Sequence, residues 1–249
     1  MWLSKVPLDI TVVFYTANYL QHENPQFWEA TQKQLKDASR PLPIISVSHE
    51  PMDLGTNICV GDIGRSHLNI YRQMLIGCKA AKTKYVAMAE DDILYSYSHF
   101  HTMVPHRNNF LYDMNKLSLF TWTNPPQYSF RTNRRVINQL IAERTLLIEA
   151  LEERFARIEV LMAQGIPEAT LLSKWGDIGR YEELLGVTVR KVQEFYGEEP
   201  SIVFTHSKAF GYEMNHGKHK RLGDIKMYDI PSWGKASDVL KLWGDHPLL

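Results

Sequence analysis

Cysteine is nearly absent from this chain: Cys59 and Cys78 are the only two among 249 residues. Two thiols are too few for a disulfide framework or an all-cysteine metal site. Both stand in apolar surroundings, so a reducing compartment is expected. Net charge is missing as well, since 28 Lys and Arg balance 28 Asp and Glu. That balance argues against a strongly basic coat for nucleic acid, and the 44% hydrophobic and 22% charged fractions argue against a disordered or fibrous chain. Any partner must be recognised locally. Long apolar runs are also lacking. The longest charge-free stretches, Ile93 to His106 and Leu117 to Phe130, hold His, Ser, Asn and Pro between them and fall short of the ~20 apolar residues that span a bilayer. No membrane partner is expected. Asp9 ahead of the short run Ile10 to Tyr15 makes the start a strand rather than a secretory signal, and a cytoplasmic location follows as the expectation. Internal repeats and low-complexity linkers are absent too.

What is present alternates between two periods. Ile10 to Tyr15 is β-branched and aromatic and runs into Thr16-Ala17-Asn18, the pattern of a strand buried on both faces. Glu23 to Leu35 carries Phe27, Trp28, Thr31 and Leu35 at helical spacing, and Ile44 to Ser48 forms a second buried strand. Ser66 to Ala81 is a further helix through Leu68, Tyr71, Leu75 and Cys78, after which Tyr85 to Ala89 is a third strand ending in Glu90-Asp91-Asp92. Such alternation predicts a mainly parallel sheet with ligands at the carboxyl ends of its strands. Leu117 to Trp122 reads as another strand. Beyond it the spacing predicts one long amphipathic helix over Asn133 to Ala163, a helix over Arg180 to Tyr196, a strand over Ser201 to Thr205 and a terminal helix over Lys235 to Trp243. The expectation is an α/β chain forming one domain over 1–249, with a ligand-binding half (1–125) and a long helical C-terminal half (126–249).

The acidic triplet carries the chemistry. Strand polarity puts Glu90 and Asp92 on one side of the chain, where a buried strand emerges into a cleft. A divalent ion such as Mn²⁺ or Mg²⁺ would neutralise these carboxylates and bridge to a diphosphate. The competing reading is a solvated acidic turn or helix cap.

Three segments in order resemble the GT-A glycosyltransferases, in particular family-2-like nucleotide-sugar transferases, over Ile10 to about Leu94. They are the strand ending in Thr16-Ala17-Asn18, the segment Gly64-Arg65-Ser66-His67-Leu68-Asn69, and the strand ending in Glu90-Asp91-Asp92. The resemblance implies a Rossmann-like sheet and nucleotide-sugar binding by Thr16, Ala17, Asn18, Arg65, Asn69, Glu90 and Asp91. It implies a metal held by Asp92 and by a late histidine, His206, with His216 second. Glu stands where the family's Asp-x-Asp motif begins with Asp. The implied activity is hexosyl transfer from a UDP-sugar donor to an acceptor hydroxyl, with inversion. An inverting transferase needs a general base. Asp177 is the first choice and Glu182 the second, each with the alternative role of a cap or turn residue. Trp175 and Trp122 are candidates for stacking on a sugar or base.

Basic residues cluster at Arg131, Arg134 and Arg135 and again at Lys218, Lys220, Arg221 and Lys226. Such patches track phosphates or clamp a donor diphosphate, or are solvated surface. The chain looks compatible with phage transferases that glycosylate hydroxymethylated bases in DNA, so DNA is the expected acceptor. A nucleotidyltransferase is disfavoured because Thr16 to Leu20 lacks a glycine-rich loop with lysine. A non-catalytic nucleic-acid-binding protein is the other alternative, and it predicts salt-sensitive DNA binding without metal or sugar dependence.

Overall fold

β1 (Ile10–Thr16) is buried along its whole length, as its unbroken β-branched and aromatic run requires. The structure, a computed structural model, describes residues 9–131, 134–167, 178, 182–207 and 224–244. After β1 come the short helix α1 (Tyr19–Glu23) and then α2 (Pro25–Ser39), which Asn24 caps by accepting from the Phe27 N–H, with Pro25 at its first turn. The strands β2 (Ile44–Ser48) and β3 (Thr56–Cys59) follow, then α3 (His67–Ala80), capped by Ser66, and β4 (Tyr85–Ala89). In the last turn of α3, a Cβ on Gly77 would run into Val13 of β1. That glycine lets the helix lie close on the sheet, at a helix-propensity cost of roughly 1 kcal/mol.

The rest of the chain departs from the expected helical half. It holds β5 (Ile93–Leu94), the short helix α4 (Tyr97–His101), β6 (Asn109–Asp113), β7 (Lys116–Phe120), β8 (Gln127–Phe130) and a 3₁₀ turn over Ile137–Gln139. Next come β9 (Leu140–Glu143), α5 (Arg144–Ala163), α6 (Glu182–Leu185), β10 (Lys191–Phe195) and β11 (Ser201–Thr205). The chain then forms the hairpin of β12 (Asp229–Ile230) and β13 (Gly234–Lys235), the helix α7 (Ala236–Leu240) and a 3₁₀ turn over Lys241–Trp243. The helix expected from Asn133 thus begins at Arg144, and Leu140 to Glu143 is a strand instead. Leu140, Ile141 and Ala142 are wholly buried between β4 and β6, and there the backbone must extend to satisfy the facing ladder groups. Likewise the helix expected over Arg180 to Tyr196 is one turn of α6 followed by the edge strand β10. The strand over Ser201 to Thr205 is as expected.

Among the described residues seven strands form the main sheet in the order β10-β6-β9-β4-β1-β2-β3, in which only β9 runs antiparallel to its neighbours. Four more form a second sheet, β5-β11-β7-β8. One face of the main sheet buries Val13, Tyr15 and Met88 with α3 and α5. The other buries Val12, Phe14 and Ala89 with α2 and residues of the second sheet. The chain leaves β1 for β2 on one side and reaches β4 on the other, with α2 and α3 on opposite faces. This reversal lies at the carboxyl end of β1, the place where open α/β sheets form a ligand crevice.

Candidate functional site

Glu90, Asp91 and Asp92 leave β4 at that crevice and take three different partners. Glu90 accepts hydrogen bonds from the Tyr15 hydroxyl at 2.9 Å and the Asn138 amide at 2.7 Å. The Glu90 N–H donates to the Tyr95 hydroxyl at 3.0 Å, which in turn donates to the Asn138 carbonyl at 3.0 Å. Asp91 accepts from the Thr16 hydroxyl at 2.6 Å. Asp92 faces the imidazole of His206, with 3.8 Å between Oδ2 and Nε2. Register explains this meeting: β5 pairs antiparallel with β11, the Phe204 N–H donates to the Asp92 carbonyl at 2.9 Å, and His206 lies two residues beyond.

Electrostatics sets Asp92 apart. Its side chain is 16% exposed, and its Oδ1 is buried without a hydrogen-bond partner among the described residues. Burial, then Glu90 and Asp91, push its carboxyl well above the usual carboxylate range. Burial also raises Asp91, against the opposing pull of the Thr16 hydroxyl and Arg65. The Tyr15 phenol is raised by burial and by Glu90. His206 is lowered to about 4 by burial and by Arg65, so its ring is neutral near pH 7, the form that ligates metals. Its ring lies against Trp243 at 4.9 Å.

Arg65 reaches this cluster from the start of α3. Its guanidinium covers the Tyr19 ring at 4.4 Å, and its charge is felt by Asp91, His206 and His49. The loop before it is held by Asn69, whose amide donates to the carbonyls of Ile63 and Gly64 while its oxygen accepts from Arg72 at 2.6 Å. Gly64 takes a positive φ of 78°, which a side chain would strain. Asn69 therefore shapes the loop that carries Arg65. Asn18 does similar work. In a left-handed conformation, φ 57°, its side-chain oxygen accepts from the N–H groups of His49 at 2.9 Å and Glu50 at 3.0 Å, tying the end of β1 to the end of β2. Ala17 is half-buried beside it.

Two expected residues have other surroundings. Glu182, the second choice of base, is 5% exposed and forms an ion pair with Arg154 of α5 at 2.9 Å, so its carboxylate is committed to the helix layer. Trp122 is half-buried on Phe120 at 5.2 Å. It follows Thr121, which bonds to the Thr205 carbonyl next to His206. Asp177, Trp175, His216 and the basic residues Lys218, Lys220 and Arg221 lie outside the described residues. Ile178, next to Asp177, is buried, and its carbonyl accepts from the Tyr112 hydroxyl near the end of β6, on the sheet edge from which the acidic triplet emerges.

Sequence reasoning missed Tyr15, Tyr95, Asn138 and His49. Tyr15 stood one residue from a strand end already singled out, and its side chain points to the face opposite its neighbours. Asn138 carries no sequence signal, because its role depends on β9 returning beside β4. His49 is buried at the end of β2 with its Nε2 lacking a hydrogen-bond partner among the described residues.

Among the described residues, no group of three or more His, Cys, Asp and Glu side chains gathers to hold a metal ion. The pair Asp92 and His206 fits a different kind of site. An Mg²⁺-like ion keeps waters and substrate phosphate oxygens and needs only one or two protein donors, and the partnerless Oδ1 of Asp92 is such a donor.

No protein-family model and no curated protein matches the chain. Solved structures that resemble it include glycosyltransferases and a nucleotidyltransferase. The glycosyltransferase GlyE of Streptococcus pneumoniae aligns over 96% of this chain and 61% of its own, with 12% identity and a TM-score of 0.47. The mannosyltransferase PcManGT of Pyrobaculum calidifontis, solved with GDP-Man and Mn²⁺, aligns over 96% and 70%, with 11% identity and a TM-score of 0.43. The 2-C-methyl-D-erythritol 4-phosphate cytidylyltransferase of Thermus thermophilus aligns over 76% and 88%, with 12% identity and a TM-score of 0.42. The chain thus spans less than two thirds of GlyE. These scores are low, and the α/β architecture stands on its own strand order. Among the described residues no helix is long and apolar enough to cross a membrane.

Proposed function

We propose that the chain is a metal-dependent glycosyltransferase that moves a hexose-type sugar from a UDP-sugar to an acceptor hydroxyl with inversion. The observation that carries the reading is Asp92: a carboxylate with a buried, partnerless oxygen, facing a neutral imidazole, at the crevice where the sheet reverses. Asp92 and His206 would hold Mn²⁺ or Mg²⁺, which when bound supplies positive charge against the diphosphate leaving group. Arg65 adds a fixed cation on the same side, and the N-terminus of α3 behind it favours an anion. Thr16, Tyr15 and Asn138 hold Asp91 and Glu90 in place for the nucleoside and sugar hydroxyls.

For the base we propose Asp177, since Glu182 is neutralised by Arg154 and the neighbouring Ile178 is held by Tyr112 near the carboxyl end of β6. For the acceptor we propose a hydroxymethylated base in DNA. The basic residues around Arg131 and Lys226 are compatible with such an acceptor, and a base would have to leave the duplex stack to reach the crevice. Melting curves with a panel of nucleotide sugars, with and without Mn²⁺, test the reading. A UDP-sugar should raise the melting temperature only when Mn²⁺ is present, and Asp92→Asn should abolish the rise. Equal shifts in wild type and variant, or no nucleotide-sugar effect at all, would sink it.

A further inference from the structure

Three arginines lie within five positions after β8, and the structure treats them differently. Arg135 is paired: its Nε donates to Glu194 of β10 at 2.7 Å. Arg131 and Arg134 have no such arrangement. The Nε of each is buried without a hydrogen-bond partner, and neither meets a carboxylate in an ion pair among the described residues. Arg131 is lowered to about 10, first by burial and then by the like charge of Arg134. Arg131 is fixed at the backbone, where its N–H donates at 2.9 Å to the carbonyl of Lys116, itself a buried residue. Two half-buried guanidiniums that repel one another, with no counter-charge among the described residues, make the ligand-free fold less stable. A group bearing oxyanions on a tetrahedral centre would satisfy both Nε atoms and both charges together.

We infer that Arg131 and Arg134 form a binding subsite for a phosphoryl group, placed beside the ends of β6 and β10 and apart from the acidic crevice. Topology sets its location. β7 starts just after β6 ends, Arg131 pairs back to its first residue, and Arg135 reaches β10. The following turn carries Asn138 to Glu90, so this cluster and the crevice open on the same edge of the main sheet. The phosphoryl group is that of a molecule lying along this edge, either a strand phosphodiester or a phosphate monoester on a small molecule. The inference does not rest on the transferase reading, because neither sugar donor nor metal enters it.

Inorganic phosphate is the first probe. It should raise the melting temperature of the wild-type chain above that in chloride of equal ionic strength. Arg131→Gln and Arg134→Gln should each lose that rise while melting no lower than wild type in chloride, since each removes a repelling charge. Arg135→Gln should keep the phosphate response. Arg134→Lys, which keeps charge but not the fork, should retain only part of it. A fluorescent oligonucleotide then separates the sources. If the occupant is a strand phosphodiester, the double Gln variant should flatten the slope of log affinity against log salt by about 0.7–0.9, the contribution of one phosphate. An unchanged slope, with the phosphate-induced rise present in wild type and lost in the Gln variants, assigns the subsite to a small phosphorylated molecule. Phosphate acting no better than chloride, or variants responding as wild type does, overturns the inference, whatever becomes of Asp92.

Discussion

Glu182 and Asp92 are two acids largely withdrawn from water, and the protein treats them in opposite ways. Glu182 has a guanidinium at 2.9 Å and 1% exposure on the arginine side, so charge is balanced where it is buried. Asp92 has two neighbouring carboxylates, an uncharged imidazole and one oxygen with no partner among the described residues. A buried ion pair is a settled structural element. A buried carboxylate among its own kind is the pattern that binding and catalytic sites favour. The contrast separates two residues that sequence alone could only rank as candidate functional acids.

The largest effect should come from breaking the settled pair. Arg154→Met leaves Glu182 buried and uncompensated, which costs about 3–5 kcal/mol. For a chain of this length that is a fall in melting temperature on the order of 10 °C. The double variant Arg154→Met with Glu182→Leu should recover most of it, and calorimetry of the three proteins decides. If Glu182→Leu alone left stability intact but abolished turnover, the assignment of Glu182 to structure would be wrong.

Asp92→Asn should do the reverse. Removing one of three crowded carboxylates should stabilise the metal-free protein at neutral pH by about 0.5–2 kcal/mol. The pH dependence follows from the sign of the shift. The carboxyl is raised by burial, then by Glu90 and Asp91, so folding favours its protonated form. That contribution is full below the unfolded value of ~3.9 and is lost as pH rises through the native value. Metal-free wild type should therefore lose this stability towards neutral pH, and the variant should show a flatter profile. A variant that melts lower than wild type at pH 7 without metal would remove the contrast with Glu182.

How much of this could be read from the residues depends on where their partners lie. β1, α2, β2, α3 and β4 were legible because each buries a continuous run or a 3.6-period stripe, signals that are local. Thr16, Arg65 and the acidic triplet came with them, since they sit at the ends of those elements. β9 was hidden because Ile137, Leu140 and Ile141 also suit a helix, and only the facing edges of β4 and β6 force Leu140 to Glu143 to extend. β10 was hidden because Lys191-Val-Gln-Glu-Phe195 is an edge strand with one buried residue, which gives periodicity little to report. His206 could be singled out at a strand end, but its approach to Asp92 is a product of the β5–β11 register. The state of Asp92 Oδ1, without a partner among the described residues, on which the functional argument turns, is a property of the assembled layers and has no counterpart in the local sequence.

Glu153, next to Arg154 on α5, gives the smallest and most discriminating test of whether burial rather than pairing sets these energies. It too has an arginine at 2.9 Å, Arg190, and it accepts at 2.7 Å from both the N–H and the hydroxyl of Thr188, yet its side chain is 32% exposed. Partial burial works to raise its carboxyl, and the two Thr188 bonds with Arg190 outweigh that and hold it below the usual range. A lowered native value contributes stability above the unfolded value of ~4.3 that is lost as pH falls through the native one. Solvent screening limits such a pair to on the order of 0.5 kcal/mol, so Glu153→Gln should lower the melting temperature by about 1–2 °C at pH 7 and by less at pH 3. Chemical denaturation at both pH values would measure it. A loss at pH 7 as large as that of Arg154→Met would mean that ion pairing itself, and not its withdrawal from water, carries the energy on α5, and the distinction drawn between Glu182 and Asp92 would have to rest on their neighbours alone.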